Sequence, residues 1–278
     1  MPTSRMFALR GRTAIITGAG SGIGRALAHS LARRGCNLAL ADIDEAGLHG
    51  TVDALDAAGL RVTSHRLDVA DAEAVAAFPT IVQEAHGPAQ VLINNAGVAL
   101  GGTFQQVSAA DFDWLMSINF YGVVRTTRAF LPMLLGSPES RLVNLSSLFG
   151  LIAPPGQTAY CSSKFAVRGF SESLRQELRA SPVGITVIHP GGVATSISDN
   201  ARVGEGVSAA GRERLAKFKS MLTLPPASAA EQIVRGIERR KPRVIVGRDA
   251  KLALLVERLR PTSYWPILER VSARKAAY

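Results

Sequence analysis

A chain of 278 residues that is 47% hydrophobic and 19% charged has the material for one large α/β domain or two small ones, and its composition excludes a disordered or fibrous protein. Its two cysteines, Cys36 and Cys161, do not make a disulfide framework, and no Cys/His cluster has zinc-ligand spacing, which fits a reducing compartment and no metal site. No run approaches the length of a membrane span and residues 1–12 lack the apolar stretch of a signal peptide, so the expected location is cytoplasmic.

The net charge of +10 is unevenly spread. Residues 1–200 hold 15 Lys/Arg and 15 Asp/Glu, whereas the remaining 78 hold 17 and 7. A basic C-terminal region can meet an acidic partner such as a lipid surface or a phosphorylated carrier; a solvated basic face is the simpler reading.

Along the chain, strand and helix signals alternate. Thr13–Thr17 (TAIIT) reads as a buried strand, and a helix follows from Gly22 to Arg34 with Gly35 placed to end it. Between them lies Thr17-Gly18-Ala19-Gly20-Ser21-Gly22-Ile23-Gly24. Glycines at 18, 22 and 24 let the backbone turn tightly, approach a pyrophosphate and start a helix whose first amides face the phosphates. The spacing is Gly-x3-Gly-x-Gly, so the position between strand and helix carries the signal rather than the glycines alone.

Asn37–Ala41 is the second predicted strand. Asp42 ends it, 18 residues after Gly24, where a carboxylate can accept hydrogen bonds from ribose hydroxyls and repel a 2′-phosphate. No basic residue stands at Ser21 or directly after Asp42, which favours NAD(H) and leaves NADP(H) as the alternative. A helix over Glu45–Ala58 and a third strand over Arg61–Leu67 follow. Asp68-Val69 closes that strand, where a carboxylate can meet the adenine edge, and Asp71 is the N-cap of the next helix. Val91–Ile93 is the fourth strand, closed by Asn94-Asn95-Ala96-Gly97.

A long helix is predicted from about Asp111 to Leu135, with Asn119 inside it either as a holder of water or as a buried amide satisfying backbone groups. Arg141–Leu145 is the fifth strand and leads to Ser147, 13 residues before Tyr160; Ser146 is the alternative hydroxyl. Tyr160 and Lys164 share one face of the helix over Tyr160–Arg179. A phenol titrates near pH ~10, and a neighbouring ammonium together with a positive nicotinamide favours its phenolate. Ile185–Ile188 is the sixth strand. Ser228-Ala-Ala-Glu231 reads as a capping box opening a helix to about Arg240, and Arg243–Val246 is the last strand. The alternation predicts right-handed βαβ crossovers and a parallel sheet covered on both faces.

These pieces together resemble the short-chain dehydrogenase/reductase family. The matching segments are TGAGSGIG (17–24), Asp42, Asp68-Val69, NNAG (94–97), Asn119 in SINFYG, Ser147 in VNLSS, YCSSK (160–164) and PGGVAT (190–195), in the family's order. The resemblance covers residues 8–195 firmly and 228–247 more loosely. It implies a single doubly wound Rossmann-type domain with a seven-stranded parallel sheet, here over 1–248, and a catalytic tetrad of Asn119, Ser147, Tyr160 and Lys164. It implies that Gly18, Ser21, Gly22, Ile23 and Gly24 hold the cofactor, with Ile23 beneath it. Asp42, Asp68, Val69, Asn95, Ala96, Gly97, Tyr160, Lys164, Pro190 and Gly191 complete the site, and Val193 and Thr195 contact the nicotinamide carboxamide. It further implies a dimer or tetramer, and a mobile substrate lid over 196–227.

In that lid, Phe218, Met221 and Leu222 point to a hydrophobic alcohol or ketone of lipid, steroid or terpenoid type; packing of the lid on the sheet edge explains them equally. Residues 249–278 form an amphipathic extension whose apolar and basic residues, including Trp265, can cover the pocket, meet a neighbouring subunit or lie on a membrane surface; the first two are favoured. Pro261 and Pro266 interrupt it. No nucleic-acid motif is visible. The competing readings are an NADPH-dependent reductase of a carrier-bound 3-oxoacyl group and a non-catalytic nucleotide sensor on the same fold.

Overall fold

A computed structural model describes residues 6–220 and 222–275, with the side chains of 214, 217–220 and 271–275 excepted. Five elements make its first half of the sheet: strands β1 (Thr13–Thr17), β2 (Asn37–Asp42), β3 (Val62–Arg66) and the helices α1 (Gly22–Ala32) and α2 (Glu45–Asp53) between them. Then come α3 (Ala72–His86), β4 (Val91–Asn94), the two-residue β5 (Leu100–Gly101), α4 (Ala109–Met116), a π-turn over Ser117–Tyr121, α5 (Gly122–Leu135) and β6 (Ser140–Leu145). The last part carries α6 (Thr158–Glu177), β7 (Val183–Pro190), β8 (Arg202–Val203), α7 (Ala209–Ser220), α8 (Pro226–Glu238), β9 (Arg243–Val246), α9 (Arg248–Leu259) and α10 (Tyr264–Lys275).

Seven strands form one parallel sheet in the order β3-β2-β1-β4-β6-β7-β9. Both faces are covered, which is why β1, β4 and β6 are buried at every position rather than alternating with polar residues. Alternate side chains still go to opposite faces. Ile16 joins Leu38, Val91 and Ile93 under α1 and α8, against Leu27, Leu31, Ile233 and Ile237. Ile15 joins Ala39, Leu92 and Leu142 under α3 and α5, against Phe78, Phe130 and Leu134. Each such aliphatic contributes roughly 1.5–3 kcal/mol by leaving water. The chain turns one way from β1 to β2 and the other way to β4, so a crevice opens at the carboxyl ends of β1 and β4, where ligands bind in open α/β sheets.

Several boundaries differ from the sequence reading. The helix after β2 stops at Asp53 rather than Ala58. The Asp111–Leu135 helix starts earlier, capped by Ser108, whose hydroxyl accepts from the Asp111 amide at 3.0 Å, and it is broken by the π-turn. Ser228 does not open a capping box. Pro226 takes the first helical position of α8, where its missing N–H costs nothing, and Glu231 turns instead to Arg34. Pro266 likewise sits in the first turn of α10 and does not interrupt it; the break falls between Leu259 and Tyr264, around Pro261. Asp71 caps α3 as expected, accepting from the Glu73 and Ala74 amides at 3.0 Å. Among the described residues no helix is long and apolar enough to cross a membrane.

Arg34, two residues past the end of α1, clamps α8 to the first layer. Its guanidinium pairs with Glu231 at 2.7 Å and Glu238 at 2.9 Å. The hydrogen bond from Arg34, then that from Arg235, hold the Glu231 carboxyl down at about 2 against the opposing effect of burial. An unfolded Glu titrates near ~4.3, so the folded state binds this proton less readily. The stabilisation is complete above about pH 5 and is lost as pH falls towards about 2. Urea midpoints measured between pH 7 and 2.5 are expected to fall less steeply for Glu231→Gln than for the wild type.

Candidate active site

The Gly-rich turn after β1 is held by backbone proximity. Gly18 and Gly22 have φ of +67° and +50°, which side-chain-bearing residues rarely adopt. A Cβ at Gly24 would overlap the Gly18 carbonyl, because α1 starts directly against the strand it leaves. Ser21 occupies the N-cap position without capping, and the first turn of α1 carries no acidic residue. Its amides and the helix dipole therefore favour an incoming anion. The Ser21 hydroxyl instead accepts from Ser196 at 3.1 Å, across from the turn.

Asp42 reaches back to this turn: one carboxylate oxygen accepts from the Gly20 amide at 2.7 Å and the other from the Asp44 amide at 3.0 Å. A carboxylate has about four lone-pair sites, so it can still accept from a ribose. Arg25 spends its donors on the Gly47 carbonyl at 3.1 Å, Thr51 at 2.9 Å and the Gly20 carbonyl. Asp68 accepts from the Ala70 amide at 2.8 Å, and Val69 packs tightly on Gly122.

The NNAG segment braces rather than only lines the crevice. Asn95 donates to the carbonyls of Thr17 and Gly18, both at 2.9 Å, while the Thr17 hydroxyl accepts from the amides of Asn95 and Ala96 at 3.1 Å. Asn94 is buried and ties β4 to Asn144 of β6 and to Thr126 and Thr127 of α5. Asn119 sits fully buried in the π-turn, whose extra residue turns it inward. Its carbonyl accepts from the Val98 amide at 2.8 Å, and its NH₂ donates to the Val98 carbonyl at 3.0 Å and to Ser163 at 3.2 Å. The amide thus satisfies backbone groups, one of its two sequence readings. Gly97 lies against both the Asn119 carbonyl and the Lys164 ammonium: a Cβ there would stand 3.2 and 3.4 Å from them.

Ser147, Tyr160 and Lys164 come together beyond the end of β6. The Ser147 hydroxyl engages the Tyr160 phenol, and the Lys164 ammonium lies 5.6 Å from the Tyr160 ring centre. Ser146 is buried and donates to the Lys164 carbonyl at 2.8 Å, so it fixes α6 while Ser147 faces the phenol. Burial pushes Tyr160 up to about 12, with the Ser147 hydrogen bond pulling the other way. Burial pushes Lys164 down to about 8; its ammonium donates to the Leu145 carbonyl at 3.3 Å. Within the protein alone, then, the expected lowering of the phenol is outweighed by the cost of charging it away from water.

One functional neighbour was not legible in the sequence. His189, fully buried on β7, meets the Ser147 carbonyl through Nδ1 at 2.9 Å. Burial pushes it down to about 4, so it is neutral near pH 7 and can donate this bond from Nδ1. A buried His before Pro190 carries no signal in sequence, because β6 and β7 become neighbours only in the sheet.

The Pro190–Thr195 segment runs from the end of β7 across the crevice. Val193 is buried and its amide turns onto the Gly191 carbonyl at 3.0 Å. Thr195 packs against Gly22, where a Cβ would meet it at 3.1 Å. A cleft of about 750 Å³ opens beside the Gly-rich turn, lined among others by Ser21, Gly22, Arg25, His29, Thr195 and Leu222; Tyr160 is outside its lining. Ile23 packs on the core beneath. Within the expected lid, β8 pairs with β5, and Arg202 meets Asp111 at 3.0 Å and stacks 3.7 Å over Trp114. The side chain of Phe218 and all of Met221 lie outside the described residues.

The family model for short chain dehydrogenase covers residues 12–206. The chain belongs to the short-chain dehydrogenase/reductase family. As a member it is an oxidoreductase of Rossmann-type fold. SadH of Mycobacterium tuberculosis is 43% identical over 263 residues, 93% of this chain and 94% of its own length. A short-chain dehydrogenase/reductase from Burkholderia phymatum, solved in complex with NAD, is 34% identical with a TM-score of 0.85, covering 91% of this chain and 95% of that one. A metagenomic short-chain oxidoreductase solved with NADP is 28% identical with a TM-score of 0.70, covering 86% and 98%.

The residues fit a dinucleotide: glycines where Cβ atoms would intrude, helix amides free of an acidic cap, and a carboxylate at the end of β2. Gly24→Ala is expected to lower stability by about 1–3 kcal/mol through overpacking against the Gly18 carbonyl, read as a shifted urea midpoint with an unchanged slope.

Proposed function

We propose that the chain binds NAD(H) and transfers a hydride between it and a secondary alcohol or ketone, with Tyr160 as general acid and base. The observation that carries this reading is the cluster of Ser147, Tyr160 and Lys164 at the carboxyl end of β6, next to Gly97 and the glycine turn. Gly18, Ser21, Gly22, Ile23 and Gly24 would hold the pyrophosphate, Asp42 the adenosine ribose, Asp68 and Val69 the adenine, and Val193 and Thr195 the nicotinamide amide. Asn95, Ala96, Gly97, Pro190 and Gly191 shape the floor between them. When bound, the nicotinamide supplies or accepts the hydride and, oxidised, brings a positive charge.

In the oxidation direction Tyr160 Oη takes the hydroxyl proton of the alcohol; in reduction it returns that proton to the carbonyl oxygen. Ser147 orients the same oxygen by hydrogen bonding, and His189 holds the Ser147 backbone in place. A phenol held at about 12 is a reluctant base, so it depends on neighbouring positive charge. Lys164, at about 8, is mostly charged at pH 7 and contributes that charge from one side. Asn119 acts behind Lys164 by fixing the Gly97–Val98 backbone against it.

The preference for NAD over NADP rests on Asp42, which would repel a 2′-phosphate, and on Arg25, whose Nε and Nη2 are spent on Thr51, Gly47 and Gly20. The substrate is proposed to be hydrophobic, in keeping with Val98, Phe112 and Trp114, which share an apolar cluster with Tyr160. A dimer or tetramer is proposed through α5 and α6, where Tyr121, just before α5, and Phe165 of α6 are exposed aromatics.

Fluorescence titration with NADH and NADPH side by side tests the cofactor reading. The wild type is expected to bind NADH more tightly, and Asp42→Ala to gain NADPH affinity. Tighter NADPH binding by the wild type would replace this reading with the NADPH reductase one. Tyr160→Phe is expected to keep NADH binding and lose about 10²–10⁴-fold in turnover of cyclic and medium-chain alcohols. Turnover confined to small polar polyols would contradict the hydrophobic substrate.

A further inference from the structure

The sheet is complete at β9, yet the chain continues into α9 and α10, and α9 reaches the segment that crosses the crevice. Gly247, with φ of +95°, makes the turn that delivers the first residues of α9 there. Asp249, in that first turn, accepts through Oδ2 from the Gly192 amide at 2.7 Å. Its carboxylate lies so close to Gly191 and Gly247 that a Cβ at either would overlap it. From the other side the Leu224 amide donates to the Gly192 carbonyl at 3.0 Å, and the Ala194 amide to the Leu224 carbonyl at 2.9 Å. The Gly192 peptide is thus held at its N–H by Asp249 and at its C=O by Leu224.

That grip matters because Gly191 and Gly192 have no side chains to fix them. Two adjacent glycines carry a large conformational entropy, and left alone they would sample many orientations of the following Val193 and Thr195. A charged acceptor restrains the amide more strongly than a neutral one.

We infer that Asp249 is a positioning residue for the cofactor, fixing the Gly191–Val193 backbone at the nicotinamide end of the crevice from the C-terminal extension. The inference rests on the nicotinamide-binding reading proposed above. It assigns α9 a part in the site: the helix carries the carboxylate that sets the loop. The part of the dinucleotide that Gly191–Val193 would meet is the nicotinamide ring, whereas the ADP-ribose portion, which lacks that ring, would rest chiefly on the Gly-rich turn and Asp42.

The test is equilibrium binding by the full chain, wild type against Asp249→Ala, Asp249→Asn and Tyr264→Phe, with NADH, NADPH and ADP-ribose as probes. Asp249→Ala is expected to weaken whichever nicotinamide nucleotide the wild type prefers by about tenfold, the order set by losing one hydrogen bond to a charged group, and to leave ADP-ribose within about twofold. Asp249→Asn keeps an acceptor oxygen and is expected to recover most of the loss. Hydrogen–deuterium exchange of the peptide spanning 190–195 is expected to quicken in Asp249→Ala before any nucleotide is added. Tyr264→Phe, which removes a bond to the Ala153 amide on the opposite loop, is expected to leave NADH affinity unchanged.

Equal weakening of NADH and ADP-ribose, or equal weakening by Tyr264→Phe, would overturn the inference in favour of general loosening. Unchanged NADH affinity in Asp249→Ala would overturn it outright while leaving the nicotinamide reading intact. Failure of the wild type to bind either nicotinamide nucleotide would remove that reading and the inference together.

Discussion

The site depends on one close approach: the start of α1 lies directly on the carbonyl of Gly18. Only hydrogen fits at Gly24, and only a glycine adopts the φ of +67° at Gly18 without strain. Because the turn is this tight, the first amides of α1 face the crevice instead of the core. Because it is this short, Asn95 at the end of the neighbouring strand can reach the carbonyls of Thr17 and Gly18 with one NH₂ group. Asp42 and Arg25 then fix Gly20 from the other side, one at its amide and the other at its carbonyl. The turn is a backbone feature stabilised by side chains from three neighbouring elements, so anion binding there needs little further ordering.

The strands and the glycine turn were legible in the sequence because they arise from local pattern: continuous apolar runs, helical spacing, and glycine where φ is positive. Arg243–Val246 was read to the residue. The misreadings share another origin. Ser228 and Glu231 have the spacing of a capping box, but Pro226 fixes the start of α8, and Glu231 finds Arg34, 197 residues away in sequence. The π-turn holding Asn119 leaves no clear periodicity signal, because a change of phase confined to one five-residue turn is too short to stand out from the helical pattern on either side. Ser146 and Ser147 are indistinguishable by type; the extended backbone beyond β6 sends one to the Lys164 carbonyl and the other towards the phenol. His189 and Asp249 act through backbone groups brought near by the sheet order, which no spacing rule encodes.

Burial biases the chemical centre towards neutral forms. It pushes Tyr160 up to about 12, Lys164 down to about 8 and His189 down to about 4. The three groups then divide the work by how far each is pushed. His189 lies so far below neutrality that it serves as a fixed hydrogen-bond donor. Lys164 stays mostly charged at pH 7 because its displaced value is still above that pH. Tyr160 alone is left with a proton it does not readily lose.

In the proposed reaction, that imbalance would tie catalysis to cofactor occupancy. A buried phenol at about 12 holds its proton at neutral pH, which suits it to protonating a carbonyl oxygen. To take a proton from an alcohol it needs more positive charge than Lys164 alone provides, and the only group in the proposed reaction that brings this charge is the oxidised nicotinamide. The base would therefore be strengthened only when the hydride acceptor is in place, and an alcohol entering the cleft without it would meet a neutral phenol. Ordering the Pro190–Thr195 segment then has an electrostatic consequence beyond affinity. Coulomb energy in a poorly solvated cleft changes steeply with distance, so a loop that wandered by an ångström would alter the phenol's proton affinity as well as the position of the ring. Gripping Gly192 from two sides keeps that distance constant.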